Sequence, residues 1–156
     1  MSLELPPSLA PMELFLGRLF SDGKEDVLLQ MGDDHDSHAV TMGEHLAAGG
    51  AHVGGFVATN SGDGVTALHE SFRHPEGPHQ NLMDAGTGSR VIGLGLKTSA
   101  GIVLAHKGMT LLQYGLTAAA LAQAFATGGA PAPFVQQAGQ RSLDAIANVT
   151  VNELLT

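Results

Sequence analysis

Glycine is the residue that most constrains this chain. It fills 21 of 156 positions, against about 7% in an ordinary protein, and it keeps no fixed period. A glycine inside a helix costs about 1 kcal/mol relative to alanine. Glycine scattered this way therefore argues for tight turns, bulges and close backbone approaches. The expectation is a mainly β (α+β) chain: a Gly-rich small β-sandwich or barrel-like domain with two or three short helices. Its core must be built from Ala, Val, Leu, Ile and Met, because hydrophobic residues are 44% while Phe is 6, Tyr 1 and Trp 0.

A chain of this length fits one domain. Residues 1–10 are broken by proline and read as an extended N-terminal arm, leaving 11–156 as a single β-rich domain. From Pro11, the residues Met12, Phe15, Leu16, Leu19 and Phe20 follow the spacing of one helix face, with Ser21-Asp22-Gly23 as its stop. A strand with Leu14 and Leu16 on one face is the rival. Residues 26–31 read as a buried strand and 32–38 as an acidic loop. Residues 39–48 read as a short helix or a turn. A strand at 53–59 closes on the turn Asn60-Ser61-Gly62-Asp63-Gly64 and returns at 65–69. Residues 71–88 are polar, with two prolines and three glycines, and read as a long loop. Residues 90–96 and 102–106 make the best hairpin, with a third strand at 109–114. An Ala-rich helix at 116–126 stops at Gly128-Gly129. After a loop with Pro131 and Pro133, a helical turn at 143–147 and a strand at 149–155 close the chain.

Charged residues are 14%, well below the usual ~25%. So weakly charged a surface suits a chain covered by copies of itself or by neighbouring particle proteins. Net charge is −8 with seven Lys and Arg and no basic cluster, which argues against nucleic acid and against a polybasic membrane contact. Absence of cysteine excludes disulfides and thiolate chemistry. No basic region precedes an apolar run at the N-terminus, and no apolar run reaches membrane-span length. The expected location is a virion or the cytoplasm, without a signal peptide.

Seven of the eight histidines fall between His35 and His79. The run Asp33-Asp34-His35-Asp36-Ser37-His38 holds groups that bind divalent metals or move protons. His35 and His38 share a face only if the run is helical. A loop there would need a third ligand from elsewhere, and His74 is the candidate. The plainer reading is a solvated acidic turn. His69-Glu70, His74 and His79 do not make H-E-x-x-H, which excludes the metalloprotease helix. They suit a polar loop, or histidines that sense pH at a subunit contact. His45, His52 and His106 read as structural. There is no G-x-S-x-G elbow and no Walker-type loop.

The segment Thr41-Met-Gly-Glu44-His-Leu46-Ala-Ala-Gly49, with the Val-rich stretch 53–59, resembles phage capsid-cement or head-decoration proteins. So do Gly88-Ser-Arg-Val91-Ile92-Gly93-Leu-Gly-Leu96, the small-residue turn at 98–101 and the closing 149–155. That likeness implies strands at these places and a non-catalytic virion role. The opening Gly17-Arg-Leu-Phe-Ser-Asp22-Gly23-Lys-Glu25, followed by 27–32, is similar to formaldehyde-activating enzymes. Their catalytic histidine has no counterpart here, so that activity is not carried over.

Two functional expectations result, beside a small-molecule binding module with an Ala/Gly-lined cavity, for which no specific residue speaks. The first is a structural assembly protein, a virion or similar subunit working through protein–protein contacts at the arm around 5–11 and the loop 71–88, with no catalytic residue and no cofactor. The alternative is a small homo-oligomeric metal-dependent enzyme or metal-binding domain using the His/Asp cluster at 33–38 with His69–His79, a divalent metal being held by His35, His38 and His74.

Overall fold

The computed structural model describes residues 2–17, 20–128 and 132–155, and every regular element among them is helical. A short 3-10 turn at Pro7–Leu9 leads into α1 (Ala10–Leu16). Then come α2 (Glu25–Thr59), α3 (Asp63–Arg73), α4 (Pro78–Thr127) and α5 (Ala132–Leu155). The expected sandwich or barrel, and with it the β-rich character, is overturned: no strand occurs among the described residues. Residues 26–31, 32–38 and 53–59 are one continuous helix, α2. The stretch 65–69 lies in α3. The hairpin 90–96 and 102–106, the strand 109–114 and the helix 116–126 are successive parts of α4, and 149–155 ends α5. The loop expected at 71–88 shrinks to 74–77. Leu19, Gly129 and Pro131 lie outside the described residues.

A periodicity hidden by residue type explains the reversal. The inward positions of α4 are His79, Leu82, Gly86, Ser89, Gly93 and Leu96, continuing through Ala100, Val103, Lys107, Thr110, Tyr114, Thr117 and Leu121. These alternate steps of three and four, the repeat of a coiled-coil seam. In α2 the row Gly32, His35, Ala39, Met42, Leu46, Gly49 and Val53 does the same, as does Gln136, Gly139, Leu143, Ile146 and Thr150 in α5. Small and polar residues occupy most of this seam, so it carries no hydrophobic signature. At Gly32, Gly93 and Gly139 the helix cost of glycine is offset by the close approach of a neighbouring helix.

Two compact units divide the chain. Leu29–Lys97 is one. Within it, α2 and the first part of α4 run antiparallel, with Gly32 against Gly93, His35 against Ser89 and Ala39 near Gly86. The turn at Asn60-Ser61-Gly62 joins α2 to α3, where Gly62 takes a φ of 119° that side-chain-bearing residues avoid.

The other unit is Met1–Leu28 with Thr98–Thr156. Its core is Leu16, Tyr114 and Leu143, with Leu5, Leu9, Met12, Phe15, Phe20 and Ile146 packed round them. The helix expected from Pro11 forms, with Pro11 in its first turn where proline is tolerated. It ends at Gly17, φ 98°, rather than at Gly23. The carbonyls left open at its end are taken from other helices. Gln136 Nε2 donates to the Phe15 oxygen (2.7 Å), Gln140 Nε2 to the Leu16 oxygen (3.4 Å) and the Tyr114 hydroxyl to the Gly17 oxygen (3.3 Å). Among the described residues, no helix is long and apolar enough to cross a membrane.

Candidate functional site

Helical geometry redistributes the acidic run. Asp33 and Asp36, three apart, share a face, and both meet Lys97 Nζ from α4, at 2.8 and 2.6 Å. Their carboxylates hold the Lys97 ammonium above its ordinary pKa. His35 faces the same helix. Its Nδ1 lies 3.1 Å from Ser89 Oγ, and that hydroxyl donates to the His35 carbonyl at 2.8 Å. With the hydroxyl hydrogen committed to the carbonyl, the ring must donate, so Nδ1 carries its proton. His38 is exposed on the same helix. His74 sits in the α3–α4 turn, where its Nδ1 accepts the Glu76 N–H at 3.2 Å.

The condition set for His35 and His38, a helical run, is met, yet one ring packs inward and the other outward. Among the described residues, no three His, Asp or Glu side chains gather as metal ligands would, so His35, His38 and His74 are not brought together. His106, read from the sequence as structural, repeats the His35 arrangement. Its Nδ1 is 2.9 Å from Thr150 Oγ1, whose hydroxyl donates to the Ile146 carbonyl at 3.0 Å.

Composition gave no hint of a buried ion pair. Glu25 and Lys107 are 3% and 2% exposed, with Lys107 Nζ 2.7 Å from Glu25 Oε2. The ammonium also donates to the Leu3 carbonyl (2.9 Å) and the Ser2 hydroxyl (3.3 Å). Ser2 Oγ donates to Glu25 Oε2 (2.9 Å), and the Leu3 N–H donates to the other carboxylate oxygen. The Phe20 ring lies 5.7 Å from Nζ, a cation–π contact. Burial alone would push the Glu25 carboxyl up. Hydrogen bonds from Lys107, from backbone N–H groups and from Ser2 outweigh it and lower the pKa from 4.5 to about 2. The N-terminal arm, expected to reach for a partner, is thus anchored within its own unit at Ser2 and Leu3.

Beyond these pairs, the outer side of α4 stands out. Thr98, Ile102, Ala105, Met109, Leu112, Leu116 and Ala119 again step by four and three, on the side away from the seam. From Val91 to Thr127 there is no Asp, Glu or Arg, and the lysines are Lys97 and Lys107, both tied to carboxylates on α2.

Compared with known proteins, the chain matches no family model, no curated sequence and no solved structure.

Proposed function

We propose that this chain is a structural assembly protein that works through protein–protein contacts, in the first place with a second copy of itself. The outer row of α4 carries the reading. Met109, Leu112 and Leu116 are 44%, 64% and 57% exposed, and Leu104 at the margin of the row is 46% exposed. Apolar area of this extent, on the order of 300–400 Å², lies within the range of a monomer's largest and often functional patch. It approaches half of the ~800 Å² each partner gives to a standard interface.

A second copy suits this row for two reasons. The row has no charged group, so two chains of net charge −8 meet there without like charges in contact. Its four–three repeat is the spacing by which one helix seats against another, and an antiparallel pairing would make it self-complementary about a two-fold axis. The assembly role expected from the sequence is kept, but its support moves. It no longer rests on the head-decoration likeness, whose strand segments are helical here, nor on the loop at 71–88.

Light scattering after size-exclusion chromatography tests the reading. The protein is expected to run as a dimer or larger species at tens of micromolar, and Leu112→Glu to shift it to monomer with unchanged helical circular dichroism. A monomeric parent, or an oligomer indifferent to Leu112→Glu and Met109→Glu, would overturn it.

A further inference from the structure

Within the Leu29–Lys97 unit, a pocket of about 470 Å³ opens between α2, α3 and the first turn of α4. That volume lies in the ~300–1,000 Å³ range of small-molecule sites. Its polar wall has one character. His69 and Arg73 come from α3 and His79 from α4, and no carboxylate lines it, in a protein with 15 Asp and Glu against seven Lys and Arg. Among the described residues, the His69 and Arg73 side chains have no hydrogen-bond or ion-pair partner. The His79 ring is steadied edge-on by Phe72, centroids 5.6 Å apart. Gln80 also borders the space, but its amide N–H is taken by Asp84 at 2.8 Å. From α2 come Gly50, Val53 and Gly54. A Cβ at either glycine would meet nothing within 4 Å, so these glycines leave room instead of admitting a neighbouring helix.

The frame is fixed. The α3–α4 turn is closed by the Gly77 N–H on the His74 carbonyl at 2.7 Å, and a side chain at Gly77 would collide with the Ser71 carbonyl oxygen.

We propose that this pocket binds a small organic phosphate. Its phosphoryl oxygens are held by Arg73, His69 and His79, and its organic part lies against Val53 and Phe72 above the two glycines. A forked guanidinium with one further donor a turn away on α3 and another from α4 suits a group with three outer oxygens better than a planar carboxylate. The volume left beyond the donors suits a ligand larger than phosphate alone.

Isothermal titration of the full chain in chloride buffer, with inorganic phosphate and separately with glycerol 3-phosphate, tests this. Saturable one-site binding is expected, tighter for the organic phosphate. Arg73→Gln should weaken it by at least about tenfold, the scale of a charge-assisted contact. The pair Gly50→Leu with Gly54→Leu, which adds carbon only where space is open and favours helix, should abolish it while circular dichroism stays unchanged. Absence of saturable binding, or equal binding by all variants, overturns the site. Equal affinity for both phosphates overturns the organic ligand.

Discussion

Gly32 on α2 and Gly93 on α4 meet backbone to backbone. A Cβ at 93 would stand 2.9 Å from the Gly32 carbonyl oxygen, and one at 32 would stand 3.0 Å from that of Gly93. The antiparallel pair in this unit can close only because both positions lack a side chain. Gly93→Ala should therefore destabilise, because backbone must move. The ~1 kcal/mol gained in helix propensity is outweighed by an overpacking cost of about 1–3 kcal/mol. Gly88 and Gly101, where a Cβ meets nothing within 4 Å, should respond oppositely, with Gly→Ala stabilising by about 0.5–1 kcal/mol. Urea midpoints of the three variants check this. A Gly93→Ala protein as stable as Gly101→Ala would show that the close approach does not hold the pair.

The same contact explains what the sequence concealed. Tight packing was a correct inference from glycine; assigning it to strands was not, because helices that touch backbone to backbone need the same residue. Period-two alternation in Val91-Ile92-Gly93-Leu94-Gly95-Leu96 imitates a strand, while its true division puts Gly93 and Leu96 inward and Val91 and Leu94 outward. With apolar residues on the outer side of α4 and Gly, Ser, Thr and Lys on the inner, no amphipathic contrast marks the helix. Where the contrast is ordinary the sequence is legible, as on the face of Met12, Phe15 and Leu16; of the turn expected at Asn60–Gly64, Asn60–Gly62 forms and Asp63 begins α3. The shared face of Asp33 and Asp36 needed only the helix to become visible, but their partner Lys97, 61 residues from Asp36, did not follow from it. Glu25 and Lys107, 82 residues apart, offered no local signal.

Glu25 and Lys107 should behave as a unit. Removing one partner leaves a buried charge unpaired, so Glu25→Leu or Lys107→Met alone should cost about 3–5 kcal/mol. The double variant Glu25→Leu with Lys107→Met should cost less than the two single losses added together, because no charge is stranded. A double-mutant cycle by chemical denaturation measures this, and strict additivity would refute the coupling.

Acid should act through the same carboxyl. The folded pKa of Glu25, about 2, lies below its ordinary 4.5. Its stabilising contribution is thus complete above pH 4.5 and is lost as pH falls toward 2. The urea midpoint of the parent protein should drop across that window, and Glu25→Gln should flatten the drop. An identical slope in both proteins would place the acid sensitivity elsewhere.

Thr110 offers a gain. It is fully buried, and its hydroxyl finds no partner among the described residues. An unmet buried hydroxyl costs about 1–3 kcal/mol, and valine has nearly the same shape. Thr110→Val should raise stability by roughly 1 kcal/mol, seen as a higher melting temperature. A loss would mean that the hydroxyl is satisfied in solution.

His35 and Ser89 permit a test that reads one proton. Since Ser89 Oγ donates to the His35 carbonyl, the ring must present Nδ1–H. Nitrogen-15 NMR of the imidazoles at neutral pH should therefore find the Nδ1–H tautomer at His35, the form less common for a free imidazole. Ser89→Ala should release that preference. It should also cost about 1–2 kcal/mol, because a ring N–H and a carbonyl lose their shared partner in the α2–α4 seam. Thr150→Ala should do the same to His106, whose ring meets an identical donor chain on α5. An Nε2–H tautomer at His35 in the parent protein would contradict the donor order of this bridge, and the packing of His35 against α4 would then have to rest on shape alone.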